Sequence, residues 1–403
     1  MGNSTMRSVA SGTGLAVLSD LPDNHDAHTI RRANLRRAFQ LVLRGEGAAT
    51  RAMIARETGL TSATASSLVA ELIESGFVVD GRPAASTGGK PATRLEVAQD
   101  DNLLVVFVVF PRETKVGVLT ASGRTIHQET VPNDPADIAG SISELAARTR
   151  AGFEGRLLAA GVQVPGTTDG RIVHESVQLG WRDVALAAIV EDVLDVPAFV
   201  VNDVDAGAIA EAVLRPVSLR LFVHLGEGIG AATTAMTTVQ RGATGRAGEI
   251  GHVRVIYEGL REKCRCGLTG CLESTSSMVA MLGDAYHDGL PLDEAERLAR
   301  AHAGSGTLLT GAVALSRALR MMGALLDPVE IVLGGSAPAL GAEFLGDLRD
   351  QLEMYAAEGT APIVVRYASL GAGMFLGAGQ HALQSSIGVS WHGADGRDSV
   401  GAA

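Results

Sequence analysis

An α/β body carrying an N-terminal winged helix-turn-helix is the fold class this sequence predicts, and three observations predict it. Between residues 33 and 75 a helix, a short helix, a glycine turn and a longer helix follow one another, and two short strands then flank a tip rich in Gly, Ser and Pro. From about Leu103 onward, strand-length apolar runs alternate with helical stretches. Composition agrees: 46% hydrophobic residues, few aromatics and 49 glycines suit many tight strand-to-helix turns. A length of 403 residues implies more than one domain. The expected division is a tail over 1–30, the winged helix-turn-helix over 31–98, the α/β body over 99–385 and a second tail over 386–403.

Charge separates the two units. The chain carries a net charge of −11, which argues against non-specific nucleic-acid binding by the whole molecule. From Arg31 to Arg94, however, ten basic residues face five acidic ones. A basic module joined to an acidic body is the layout of a DNA reader with a separate sensing domain. The longest apolar runs, such as Leu103 to Phe110, are far shorter than the ~20 residues of a membrane-spanning helix. No basic stretch leads into an apolar one at the N-terminus, so a cytoplasmic protein without membrane contact is expected.

In the head, Ala33 to Arg44 carries an apolar stripe of Leu35, Phe39, Val42 and Leu43. Thr50 is placed to cap a short helix, Arg51 to Thr58, and Gly59 to end it. Thr61 then caps a helix from Ser62 to about Ser75, with Ala65, Leu68, Val69, Leu72 and Ile73 on one face. Small hydroxyl side chains near the start of that helix let it approach base edges while its N–H groups face phosphate. The candidate DNA contacts are Arg51, Thr61, Ser62, Ala63, Thr64, Ser66, Ser67 and, from the wing tip, Lys90.

In the body, Leu103 to Phe110 and Lys115 to Thr120 pair as strands, a helix spans Asp137 to Phe153, and Leu157 to Val164 is a buried strand. Helix Val184 to Leu194 precedes strand Ala198 to Val201, which delivers Asn202 and Asp203 to its carboxyl end, where α/β folds place ligands. Leu221 to Leu225 runs into the glycine loop Gly226 to Gly230. Glu330 to Leu333 runs into Gly334-Gly335, with a helix from about Gly341.

All three cysteines, Cys264, Cys266 and Cys271, lie close to His252 in sequence. A Cys3His set is what tetrahedral Zn2+ accepts in a closed structural site, and an odd thiol count cannot pair off as disulfides. Glu249 and Glu273 flank the cluster, with no cation close enough in sequence to claim them. They are thus expected to face a ligand rich in hydroxyls.

Gly248-Glu249-x-Gly251-His252 followed by Cys264-x-Cys266-Gly267-x-x-Gly270-Cys271-Leu272-Glu273 resembles the ROK family, which groups bacterial sugar kinases with winged-helix repressors. The resemblance covers about Asn34 to Leu383. It implies an actin-like body of two ribonuclease-H-like lobes with the ligand between them. It further implies that His252, Cys264, Cys266 and Cys271 hold structural zinc. Gly166, Asn202, Asp203, Glu249, His252 and Glu273 would bind a sugar or sugar-phosphate effector. His252 would serve both sites through its two ring nitrogens.

The kinases of this family carry Asp-x-Gly-Gly-Thr between the first two strands. Here the segment reads Phe110-Pro111-Arg112-Glu113-Thr114, which lacks the glycines, the aspartate and one N–H, so no nucleotide and no catalytic residue is expected. Asp203 aligns with the kinase base and would act only as a sugar ligand. The expectation is a sugar-responsive regulator, a repressor, that binds operator DNA as a homodimer or homotetramer. The alternatives are a sugar kinase with a DNA-binding head, or a DNA-binding protein governed by a protein partner.

Overall fold

In the computed structural model, residues 27–84, 91–98, 101–236, 238–243, 245–256, 263–354, 363–369 and 374–391 are described. The head comprises α1 (Ala27–Arg44), β1 (Ala49–Thr50), α2 (Arg51–Thr58), α3 (Ser62–Glu74), β2 (Val78–Pro83) and β3 (Thr93–Val97). Its caps are those the sequence announces. Thr50 accepts from Met53 N–H at 3.2 Å, Gly59 ends α2 in the left-handed region, and Thr61 accepts from Thr64 N–H. Strands β2 and β3 pair antiparallel as the wing. One boundary differs: α1 starts at Ala27, so part of the expected tail is helical.

Lobe 1 runs through β4 (Asn102–Val109), β5 (Glu113–Thr120), β6 (Thr125–Pro132), α4 (Ile138–Ala151), β7 (Arg156–Val164), the short β8 (Thr167–Thr168), β9 (Val173–Ser176) and β10 (Trp181–Val184), α5 (Leu186–Leu194), β11 (Ala198–Asn202) and α6 (Asp203–Leu214). Lobe 2 holds β12 (Arg220–Leu225), β13 (Ile229–Ala235), β14 (Thr238–Val239), α7 (Glu273–Ser276), α8 (Met278–Leu282), α9 (Leu292–His302), α10 (Thr307–Leu326), β15 (Glu330–Gly335), α11 (Gly341–Met354) and β16 (Val365–Tyr367). The chain then returns to lobe 1 as α12 (Leu376–Ile387).

The two large sheets repeat one topology. Lobe 1 is ordered β11-β7-β4-β5-β6 and lobe 2 β16-β15-β12-β13-β14, each with a parallel half and an antiparallel half. This is the actin-like pairing of two ribonuclease-H-like lobes. Buried on both faces, β4 reads as a continuous apolar run, which is why it was legible as a strand. Helix α10 is long and apolar enough to cross a membrane by length and composition. Its Gly311–Leu319 stretch instead presents a buried face to the lobe 2 core.

Two packing features place the cleft and the head. Helix α6 leaves the end of β11 and lies between the lobes, where Ala208 and Val204 meet Phe222, Ala232 and Val332 of lobe 2. Helix α12 fits tightly behind it: a Cβ on Gly161 would strike the Ala378 carbonyl, and one on Gly377 the Ala206 carbonyl. The second tail was expected to begin at 386. Instead α12 reaches Ile387, and Val389 and Trp391 are buried in a cluster that is continuous with the head core of Leu35, Phe39, Leu68 and Phe77. Gln40 of α1 bonds the Ser390 backbone in both directions, at 2.7 and 2.8 Å, and Trp391 Nε1 donates to the Ala121 carbonyl at 2.8 Å. From lobe 1, Arg156 stacks on the Phe77 ring and donates to Ser75 O, while Asn102 donates to Gly76 O.

Candidate functional site

On the head, Thr61, Ser62, Ala63, Ser66 and Ser67 are exposed, while Thr64 is half-buried and engaged in the α3 cap. Ser67 also receives Arg31 Nη2 at 3.4 Å, and Arg31 pairs with Glu71, so α1 and α3 are tied on this side. Arg51 at the start of α2 pairs with Asp80 of the wing at 2.9 Å. Lys90 lies outside the described residues. The head therefore presents the hydroxyl-bearing start of α3 beside a wing.

In the cleft, Asn202 and Asp203 arrive where β11 becomes α6. Asn202 Oδ1 accepts from the N–H groups of Val204 and Asp205, and its Nδ2 donates to the Gly166 carbonyl at 2.8 Å. Asn202 is thus a brace, fixing α6 to the turn after β7. Gly166 adopts φ +120, and a Cβ there would strike the Glu175 carbonyl, so only glycine closes this turn. Asp203, the first residue of α6, lines a cavity of about 490 Å3 between the lobes. Burial pushes its carboxyl above the ordinary range, His224 opposes this, and Asp288 adds to it.

The same cavity contains groups that sequence reading missed. Asp288 Oδ2 accepts from Gln178 Nε2 of lobe 1 at 3.0 Å, and its Oδ1 accepts from Glu227 N–H and from the Tyr286 hydroxyl. Tyr286 also bonds Ser336 at 2.8 Å. One carboxylate thereby joins both lobes. Its signal was turn chemistry, Asp288-Gly289 followed by Pro291. At the far wall, Phe110 N–H donates to the Glu113 carbonyl, Asn133 Nδ2 donates to Phe110 O, and the Phe110 ring lies against Gly289 and under Lys115. Within this turn the Phe110 N–H is used internally, and Pro111 has none.

Below the loop between β12 and β13, a short 3-10 turn (Ile250–His252) sets His252 against the three thiols. One ligand atom from each of His252, Cys264, Cys266 and Cys271 lies within 4.8 Å of the others, with His252 Nδ1 3.5 Å from Cys264 Sγ and Cys266 Sγ 3.6 Å from Cys271 Sγ. Tetrahedral zinc with bonds of about 2.3 Å to sulfur and 2.0 Å to nitrogen separates its ligands by about 3.5–3.8 Å. Without a cation, burial pushes the Cys271 thiol up to about 12, with hydrogen bonding to Cys266 and the Cys264 charge adding to it. The set fits a structural zinc ion in spacing and in donor chemistry. Nδ1 faces the thiols, which leaves Nε2 for another partner.

One of the two carboxylates departs from the expectation that no cation would claim them. Glu249 is exposed just before the 3-10 turn, but Glu273 is buried and is claimed by a cation, Arg265, whose Nη2 donates to it at 2.8 Å. The loop folds back on itself over Cys264 to Gly267, where Gly267 N–H donates to the Cys264 carbonyl, and this brings together residues that looked separate.

Residues 112–382, well over half of the chain, match the ROK family. The chain belongs to the ROK family. Residues 36–81 match the IclR helix-turn-helix domain. The xylose repressor of Caldicellulosiruptor bescii is 26% identical, covering 75% of this chain and 82% of the relative. A glucokinase of Halalkalibacterium halodurans is 28% identical, covering 60% of this chain and 82% of its own length. Among solved structures, a ROK transcriptional regulator homologous to the E. coli MLC protein superposes with TM-score 0.73 at 19% identity over 89% of this chain and 98% of its own. The ROK hexokinase of Thermus thermophilus gives 0.57 at 27% identity over 70% of this chain and 97% of its own. Likeness to the ROK regulator thus extends further along the chain than likeness to the kinase.

Proposed function

We propose that this chain is a sugar-responsive DNA-binding repressor of carbohydrate uptake or metabolism genes, acting as a homodimer or homotetramer on operator DNA. The observation that carries it is a winged helix whose α3 start is exposed, fused through one continuous core to a ROK body; the residues Phe110-Pro111-Arg112-Glu113-Thr114 support the non-kinase side of this reading. Xylose-repressor relatives support the sugar class and the sign of regulation. In this reading zinc at His252, Cys264, Cys266 and Cys271 is structural, Glu249 and His252 meet the sugar with Asp203, and Asn202 and Gly166 hold that wall in place. Effector binding closes the cleft and favours the state in which the heads no longer fit their half-sites.

A mobility-shift titration with the chain's own upstream region tests this. A shift reversed by one member of a pentose, hexose and amino-sugar panel is expected, and no shift with or without sugar would sink the proposal. Ser66→Glu, which sets a carboxylate where phosphates approach, should weaken operator binding roughly tenfold without altering Tm.

The glucokinase relative keeps the kinase reading in play, and Asp203 lines the cavity where a base would stand. An ADP-release assay on the same sugar panel is expected to stay at background. Asp203→Asn should weaken sugar binding by about tenfold or more while raising Tm at neutral pH, because burial opposes that charge. Turnover abolished by this substitution would instead establish the enzyme.

A further inference from the structure

Residues 286–289 leave lobe 2 and reach lobe 1 without passing through α6. Their seat in lobe 2 is the loop after β12: Glu227 N–H donates to Asp288 Oδ1 at 2.9 Å, and Asp288 N–H donates back to Glu227 Oε1 at 3.0 Å. The Tyr286 hydroxyl donates to the same Asp288 oxygen at 3.0 Å and lies 2.8 Å from Ser336 Oγ, just after β15. Gly226 makes room for this seat, since a Cβ there would lie 2.6 Å from Asp288 Oδ1. The second carboxylate oxygen, Oδ2, accepts from Gln178 Nε2 of lobe 1 at 3.0 Å. Next in the chain, Gly289 at φ +90 brings its backbone against lobe 1, where a Cβ would stand 3.3 Å from the Phe110 ring.

We propose that this segment is a latch between the lobes, a switch built into the fold in which the Gln178–Asp288 bond sets the balance of open and closed cleft. Helix α6 is bound to lobe 2 on its own account, through Asp205–Arg241 at 3.1 Å and Glu211–Arg366 at 2.8 Å. Those pairs sit along the helix that crosses between the lobes, so they hold the joint about which the lobes turn. The latch bond instead ties the turn after β9 to the segment before α9, so it can break while both lobe cores stay intact. Gln178 and Asp288 are both half-buried. Water therefore reaches each when the bond breaks, and the open state strands no polar group, which a reversible contact requires. A donor on a carboxylate is nevertheless charge-assisted, so the closed state gains measurably from it. Gln178, Asp203 and Asp288 line one cavity, so a molecule entering that cavity meets the latch directly.

Interlobe distance on the full chain tests this, read by energy transfer between genetically encoded fluorophores on β6 of lobe 1 and α9 of lobe 2, so that the clustered thiols stay unlabelled. Gln178→Leu is expected to raise the open-to-closed ratio roughly tenfold at an unchanged Tm. Gln178→Lys, which sets a cation against the same carboxylate, should shift the ratio the other way. Asp288→Ala should open the cleft as Gln178→Leu does. In that variant formate can take the place of the lost carboxylate between Glu227 N–H and Gln178, so added formate should reclose it. Formate should leave the double variant, Asp288→Ala with Gln178→Leu, open. Wild-type distances in both Gln178→Leu and Gln178→Lys overturn the latch, whatever Asp288→Ala does, and leave Asp288 as a brace within lobe 2. The readout needs neither operator nor sugar, so it holds or fails apart from the repressor reading.

Discussion

Cys271→Ser is expected to release the metal and to lower Tm by ten degrees or more, on the order of several kcal/mol, because structural zinc contributes folding free energy directly. Cys271 is wholly buried and contacts Cys266 and the His252 carbonyl, so its loss removes a bond at the centre of the cluster rather than at its rim. Cys266→Ala should also lose metal, although that thiol is exposed. Metal analysis beside a thermal melt decides the matter. A Cys271→Ser protein that retained stoichiometric zinc, or melted with the wild type, would remove the structural role.

A comparably large effect is expected at the buried ion network that joins α6 to the lobe 2 sheet. Arg220 is fully buried and pairs with Glu330 at 2.6 Å, while Arg366 bridges Glu330 and Glu211 at 2.9 and 2.8 Å. Glu330→Gln leaves two guanidinium groups facing a neutral amide and should cost about 3–5 kcal/mol in urea unfolding at neutral pH. Burial would push the Glu330 carboxyl up, but hydrogen bonds and charge from Arg366 and Arg220 outweigh it and hold it at about 2. A folded value below the unfolded one means stability that is present above about 4.5 and is lost as pH falls toward 2. The gap between wild type and variant should therefore narrow across that window. A gap that stays constant down to pH 3 would show that the carboxylate's charge is not what stabilises the network.

Much of this was legible because local chemistry and tertiary structure agree. Thr50, Gly59 and Thr61 bound α2 and α3 by capping alone, and β4 announces itself by an unbroken apolar run. The metal set was legible from ligand type and proximity in sequence. Strand β6 was not, since every residue from Thr125 to Pro132 is exposed or half-exposed and no apolar alternation remains to read. The Arg265–Glu273 pair was missed for another reason: its residues meet only because the loop reverses at Gly267, and sequence distance hid that. The capping and bracing task of Asn202 was not legible, because an amide at a strand end serves equally to bind a ligand or to cap the helix that follows.

Trp391 and Ser390, at the close of the described chain, dock the head onto lobe 1 together with Arg156 and Asn102. Among the described residues these contacts tie the head to the lobe beneath it. In the proposed reading, any rotation of lobe 1 would therefore carry the start of α3 with it. For the proposed dimer on an operator whose half-sites stand a fixed number of turns apart, such a rotation would by itself put the second head out of phase with its groove, with no unfolding of the reader required.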